Sequence, residues 1–154
     1  MNAADLTGVW LLRSFQFEEV ETGLLSEPLG EHPAGTIMFH PYGRFFALLT
    51  AGERPTPANA LERAADYERL VAYSGAYRLE MPNMLVTHVD MAWFPSWIGT
   101  EQRRFCTLRG DELDLVSAPL YMPGAIGTRR QVIAHVGWRR EGTPQHHELK
   151  TPGP

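Results

Sequence analysis

The sequence lacks the features that mark several large classes of protein. It has one cysteine, Cys106, which excludes an intrachain disulfide and a cysteine-based zinc site. Its 14 Lys and Arg against 18 Asp and Glu give a net charge of −4, so we expect no basic face for nucleic acid. No apolar run approaches the ~18 residues of a membrane span, and residues 1–12 do not form a signal-peptide pattern. We therefore expect a cytoplasmic protein that binds neither nucleic acid nor membrane.

Familiar catalytic motifs are also missing. The sequence has no glycine-rich phosphate loop and no Gly-x-Ser-x-Gly elbow. No His-x-His or His-x-x-x-His spacing occurs in the body of the chain, so we expect no metal site and no cofactor. Cys106 is expected to be inert core packing. Haem ligation by a single histidine stays open as an alternative.

What the sequence does contain is a series of short strand patterns. Strands are predicted over residues 9–20, 35–40, 44–50, 72–81, 84–93, 101–108, 112–117 and 129–140, and one short helix over residues 58–70. Tight-turn signals such as Pro41-Tyr42-Gly43 join neighbouring strands. Sequential antiparallel hairpins tend to close on themselves. The prediction is an all-β fold, an eight-stranded up-and-down barrel over residues 1–140, followed by a flexible tail over residues 141–154.

Four motifs in order resemble a known family of small barrels. They are Gly8-x-Trp10 within residues 6–15; Pro28-Leu29-Gly30 with residues 35–39 and 41–44; residues 73–77; and residues 86–90 with 95–100 and 102–105. Their order and spacing resemble the lipocalin-like domain proteins of bacteria and fungi, over residues 6–140. The resemblance implies a lipocalin-like barrel that encloses a small ligand, and it fixes the fold better than the function.

The resemblance also implies how one end of the barrel is closed. In lipocalins the tryptophan of the first strand plugs one end, and a basic residue of the last strand lies over it. Trp10 and Arg140, or its neighbour Arg139, are the matching residues. A cation over an indole ring contributes roughly 0.5–2 kcal/mol. Trp10 as an ordinary core aromatic is the alternative.

Three residues of the fourth motif are the candidate catalytic groups. Strand alternation puts His88 and Asp90 on one face, and the opposite face of that strand is the more apolar. Alternation alone therefore leaves His88 and Asp90 in water, whereas the resemblance favours them in the lumen as an acid/base pair. Arg104 on the lumen face would hold a carboxylate, an enolate or a polarised carbonyl. Its neighbour Arg103 must then point outward.

A second set of residues is expected to bind ligand. These residues are aromatic or polar and lie on the strands or in the two long loops, where they could line or cover the lumen. They are Phe39, Tyr73, Tyr77, Trp93, Trp97, Gln102 and Tyr121.

Two readings of function follow. In the first, the barrel is a cofactor-independent cyclase or isomerase of secondary metabolism that acts on a small hydrophobic or polyketide-like molecule. In the second, it only carries or sequesters such a ligand. A homodimer built on the loop of Trp97 is a further expectation.

Overall fold

The computed structural model describes residues 1–121 and 130–142. The helices are α1 (Ala3–Leu6), α2 (Ala60–Glu68) and a 3₁₀ turn (Pro95–Trp97). The strands are β1 (Gly8–Glu19), β2 (Leu25–Ser26), β3 (Ala34–His40), β4 (Arg44–Thr50), β5 (Leu70–Glu80), β6 (Met84–Ala92), β7 (Glu101–Arg109), β8 (Glu112–Ser117) and β9 (Val132–Arg140). Residues 143–154 of the predicted tail lie outside the described residues.

The strands form one antiparallel sheet that closes into a barrel. Their order is β2-β1-β3-β4-β5-β6-β7-β8-β9, and β1 also pairs with β9. The closing seam runs from Trp10 opposite Arg140 to Glu19 opposite Val132. The predicted eight-stranded antiparallel barrel is therefore confirmed, with β2 as a two-residue addition paired to the far end of β1. A strand this short carries no sequence signal of its own.

Alternation along the strands builds the core. Buried and exposed side chains alternate on β4 from Phe45 to Leu49, and β8 alternates between buried and half-buried positions. The buried set contains apolar side chains from all eight barrel strands, among them Trp10, Phe15, Phe17, Ile37, Phe39, Phe45, Leu49, Val71, Tyr77, Leu85, Cys106, Leu113, Leu115, Val136 and Trp138. The inside of the barrel is thus the hydrophobic core of the protein.

A β-bulge interrupts the alternation where β5 meets β6. Ser74 pairs with Met91 and Gly75 pairs with Val89, which leaves Asp90 as the extra residue of β6. A Cβ at Gly75 would lie 1.8 Å from the carbonyl oxygen of His88, so the close approach of the two strands requires glycine here. Beyond the bulge, Met91 is exposed instead of continuing the inward face of β6.

The two ends of the barrel differ in their connections. Tight turns join β3 to β4, β5 to β6 and β7 to β8 at one end, which we call the floor. The long connections, including α2 and the 3₁₀ turn, lie at the other end, the mouth. Helix α2 was predicted in the right place, but none of its residues is buried, and Leu61 is 81% exposed. The helix therefore does not cover the outer wall of the barrel.

Candidate functional site

The floor is sealed by residues from both ends of the barrel chain. The Arg140 guanidinium lies 4.1 Å from the centre of the Trp10 ring. It donates to the carbonyl oxygens of Thr7 at 2.9 Å and Asp5 at 2.7 Å. The Trp10 Nε1–H donates to the carbonyl of Leu6 at 2.8 Å. Trp10 and Leu6 are fully buried, so ligand access through the floor is closed.

Helix α1 holds this floor in position, and the sequence prediction missed it. Asn2 Oδ1 accepts the backbone N–H of Ala4 and Asp5, while Asp5 Oδ2 accepts the N–H of Asn2. This reciprocal pair is a capping box, which fixes the start of a four-residue helix. The Asn-x-x-Asp spacing was the available signal. The helix presents the carbonyl groups that receive Trp10 and Arg140.

Above the floor lies a small central cavity of about 40 Å³. It has room for a few water molecules at most, since one water needs ~10–15 Å³ by the same measure. Its walls are mainly aliphatic and aromatic, and only a few of the lining residues carry polar side-chain groups. The lining is Phe15, Ile37, Leu49, Val71, Tyr73, Leu85, Thr87, Trp97, Arg104, Leu115, Ala134, Val136 and Trp138. The barrel interior is thus nearly filled by its own side chains.

Arg104 is the cation of this cavity. It is half-buried, pairs with Leu85 on β6 and Ser117 on β8, and faces the interior. Its Nη2 donates to Gln102 Oε1 at 2.9 Å and its Nη1 to the carbonyl of Arg103 at 3.3 Å. Both acceptors are neutral. Arg103 points outward, so Arg104 is the member of this neighbouring pair that faces the lumen.

The outward arginine belongs to a four-charge network on the outer wall. Arg103 contacts Glu80 at 2.7 Å and Glu101 at 2.9 Å, and Arg78 contacts the same two carboxylates at 2.9 and 3.3 Å. Hydrogen bonds from Arg103 and then Arg78 hold the pKa of Glu80 below its usual value. Val86, which lies between the two arginines on β6, is fully buried although it faces outward.

A second pocket of about 370 Å³ lies at the mouth beside the cavity. We call it the mouth pocket. Its lining is Trp97, Thr100, Glu101, Gln102, Arg103, Arg104, Ala118, Pro119, Leu120 and Tyr121. Trp97 and Arg104 line both spaces, so these two side chains form the boundary between them. Gln102 and Tyr121, both predicted ligand-binding residues, line the mouth pocket.

Aromatic rings cover the cavity at this boundary. The Trp97 ring meets the Tyr73 ring edge to face at 5.2 Å and the Trp93 ring at 5.0 Å. Helix α2 contributes one hydrogen bond to this cluster, from Tyr67 Oη to the carbonyl of Trp93 at 2.9 Å. Three of the predicted ligand-binding aromatics are thereby brought together at the mouth.

Sequence reasoning missed one polar group of the cavity. Trp138 is 2% exposed and lines the cavity, and its Nε1–H has no acceptor among the described residues. Strand alternation could have found it, because Val132, Ala134, Val136 and Trp138 continue one inward face of β9. An unpaired buried N–H is costly, and it leaves a donor unused in the interior.

The structure does not bring His88 and Asp90 to this site. Both are exposed on the outer wall, so the expectation that they face the lumen is wrong. Asp90 accepts two hydrogen bonds from Arg44, at 2.8 and 3.1 Å, and one from Ser74 Oγ at 3.2 Å. The Arg44 contacts lower the pKa of the Asp90 carboxyl. The reason for the error is physical: the apolar face of β6 is the buried one, as plain alternation indicates.

Phe39 and Tyr77 also lie elsewhere than predicted. Their rings pack edge to face at 5.0 Å, and Tyr77 Oη donates to the carbonyl of His40 at 2.9 Å. Neither residue lines the cavity or the mouth pocket. Tyr73 and Tyr77 do share a face, but four residues along a strand are ~13 Å, which puts Tyr77 in the floor half of the core.

A wide open depression lies on the outside of the barrel. This outer groove, of about 1050 Å³, runs across the outer wall of β1 and β3 to β6. Met38, Phe46 and Met91 form its exposed apolar floor, with exposed fractions of 46%, 45% and 67%. Ala76 and Tyr42 lie at its margin. This outer groove competes with the mouth pocket as a surface for a hydrophobic ligand.

Within residues 1–121 and 130–142, no three His, Cys, Asp or Glu side chains are close enough to hold a metal ion. In that part of the chain no helix is both long and apolar enough to cross a bilayer.

Burial raises the pKa of the Cys106 thiol to about 11, so this thiol stays protonated at neutral pH.

Comparison with known proteins identifies the family. A search among curated proteins finds no match to this chain. The sequence profile of the family described as lipocalin-like domain matches residues 7–141, from the residue after α1 to the residue after β9. The matched range is the closed barrel itself. The chain belongs to the lipocalin-like domain family.

Proposed function

We propose that this protein binds and carries a compact hydrophobic molecule at the mouth of its barrel without transforming it. The supporting observation is the continuity of the two spaces: an apolar cavity sealed at the floor meets an open pocket at Trp97 and Arg104. Small-molecule sites are concave, mainly apolar and supplied with a few placed polar groups. This arrangement has those properties.

The volumes limit the kind of ligand. The central cavity of about 40 Å³ is too small for an organic molecule, whereas the mouth pocket of about 370 Å³ falls in the range of small-ligand sites. The body of the ligand therefore lies in the mouth pocket, against Trp97, Leu120 and Tyr121. Compact ring systems, including small polyketide-like molecules, fit this space better than long acyl chains.

A carrier is favoured over a cyclase or isomerase because the predicted acid/base pair is on the wrong side of the wall. Of the three candidate catalytic groups, only Arg104 lines the site. Tyr73 remains as a polar aromatic in the cavity, but His88 and Asp90 cannot exchange protons with a ligand at the mouth. None of the described histidines lines the cavity or the mouth pocket, so the proposal leaves haem out.

The experiment compares two matched substitutions that fill the competing depressions. Ala118 and Ala76 are both exposed alanines; Ala118 lines the mouth pocket and Ala76 lines the outer groove. The probe is N-phenylnaphthylamine, an uncharged hydrophobic fluorophore. We expect Ala118→Trp to weaken its binding at least about tenfold, equivalent to ~1.4 kcal/mol, and Ala76→Trp to leave the affinity within about twofold.

Fluorescence titration of the three proteins reads out the result. Circular dichroism checks that both variants retain the barrel. Loss of binding in Ala76→Trp alone would move the site to the outer groove and overturn the proposal. So would the absence of saturable binding to the unmodified protein.

A further inference from the structure

We infer that the ligand carries a carboxylate, held by Arg104 at the boundary between the central cavity and the mouth pocket. The inference rests on the proposed function and adds the chemistry of the ligand's head group. It depends on which charges inside and around the barrel are already neutralised.

Arg104 differs from the other arginines on the strands. Each of those has a carboxylate partner within 4.0 Å: Arg13, Arg44, Arg78, Arg103, Arg109, Arg139 and Arg140. Among the described residues, no carboxylate lies within that distance of Arg104, and its two hydrogen-bond acceptors are neutral. A guanidinium that is half-buried without a counter-ion has lost hydration that an anion would replace.

The neighbouring carboxylate is held away from Arg104. Glu101 lies at the edge of the mouth pocket, three residues along β7, and it is the acidic residue in that lining. Its two oxygens contact Arg103 at 2.9 Å and Arg78 at 3.3 Å on the outer wall. Odd-numbered residues of β7 face outward and even-numbered ones inward. The outer network therefore keeps Glu101 occupied and leaves Arg104 available.

The interior offers donors rather than charged acceptors. In the part of the chain that the structure describes, the lining of the central cavity contains no acidic residue and Trp138 Nε1–H has no acceptor, so the cavity holds a second donor besides the guanidinium. Thr87 Oγ1 already donates to the carbonyl of Gln102. A ligand head that accepts hydrogen bonds complements this set, and a carboxylate matches the two parallel N–H groups of a guanidinium.

The position of Arg104 also sets the orientation of the ligand. Because the cavity below it holds only a few waters, the carboxylate marks the inner end of the ligand and the hydrophobic body lies outward in the mouth pocket. A compact aryl carboxylate satisfies both volumes. A long-chain fatty acid does not, since its tail would extend beyond the pocket.

The test uses calorimetric titration with naphthoate and its uncharged methyl ester. In the unmodified protein we expect naphthoate to bind at least about tenfold more tightly than methyl naphthoate, a preference of ~1.4 kcal/mol. Arg104→Gln removes the charge at the site, and we expect it to abolish this preference while retaining affinity for the ester. Arg109→Gln, the control near the floor end of the same strand, removes an arginine that pairs with Asp114 away from the mouth pocket, and it should keep the preference.

The outcomes separate the head group from the hydrophobic site. Equal binding of acid and ester to the unmodified protein, or loss of the preference in Arg109→Gln but not in Arg104→Gln, overturns the inference and leaves the proposed function standing. Absence of binding of both compounds overturns the two together. Palmitate binding more tightly than naphthoate would contradict the inferred size of the ligand.

Discussion

The floor and the mouth of the barrel each contain a tryptophan and an arginine, and the two pairs are used differently. At the floor, Arg140 lies over Trp10 and donates to two backbone carbonyls, so its cation is fully engaged. At the mouth, Arg104 and Trp97 line the same two spaces, and the acceptors that Arg104 contacts among the described residues are both neutral. The same residue types therefore close one end and leave binding capacity at the other.

This difference follows from what surrounds each pair. Helix α1 brings free carbonyl groups to the floor, which satisfy the half-buried cation of Arg140 at low cost. At the mouth, the 3₁₀ turn ends at Trp97, but the hydrogen bonds of Arg104 go to Gln102 and Arg103 instead, and the nearby Glu101 is occupied on the outer wall. A polar group that folding leaves incompletely satisfied is available to a ligand.

The largest expected effect is a difference in stability between alanine variants of the floor and mouth tryptophans. Trp10 is fully buried, and Trp10→Ala should lower the free energy of unfolding by about 3–5 kcal/mol because it leaves a large cavity. Trp97 is only half-buried, so Trp97→Ala should cost about 1 kcal/mol. Urea denaturation of the three proteins measures both. Equal losses in the two variants would contradict the assignment of Trp10 to structure and Trp97 to the mouth.

Most of the barrel could be predicted from the sequence because its strands follow period-two alternation between tight turns. The inward faces of β4 and β9 can be predicted in this way, including Trp138. The bulge at Gly75 could not be predicted, because an extra residue in one strand changes the register without changing the composition. Past the bulge, alternation misplaces Met91.

The candidate site was harder to predict because it depends on which polar groups find partners. Alternation correctly favours His88 and Asp90 in water, and only the family resemblance suggested otherwise. For Arg103 and Arg104, spacing shows that they point in opposite directions but not which one faces inward. The decision comes from Glu80, on β5, and Glu101, which attract Arg103 outward. Such cross-strand partners are visible only in the fold.

The Arg44–Asp90 pair on the outer wall gives the smallest expected effect and is a control for both ends of the barrel. Arg44 lowers the pKa of Asp90, so the pair stabilises the fold above the unfolded-state pKa of ~3.9, and this contribution is lost as pH falls through the lower folded-state pKa. Arg44→Gln should raise the Asp90 pKa toward its ordinary value. Because both side chains are largely exposed, the change in unfolding free energy should be small.

Carboxyl chemical shifts in an NMR titration follow this change directly. The affinity for N-phenylnaphthylamine should stay the same in Arg44→Gln, because the pair lies outside the mouth pocket. An unchanged Asp90 pKa would show that Arg44 does not control that carboxyl. Altered binding would mean that the outer wall takes part in the site.

Amide hydrogen exchange with and without saturating naphthoate tests the central claim most directly, since it reports both ends of the barrel in one measurement. Ligand should slow exchange in residues 97–104 and 117–121, around the mouth pocket, and leave residues 5–12 and 139–141 at the floor unchanged. Protection confined to residues 38–46 on the outer groove, or no protection anywhere at saturation, would contradict binding at the mouth.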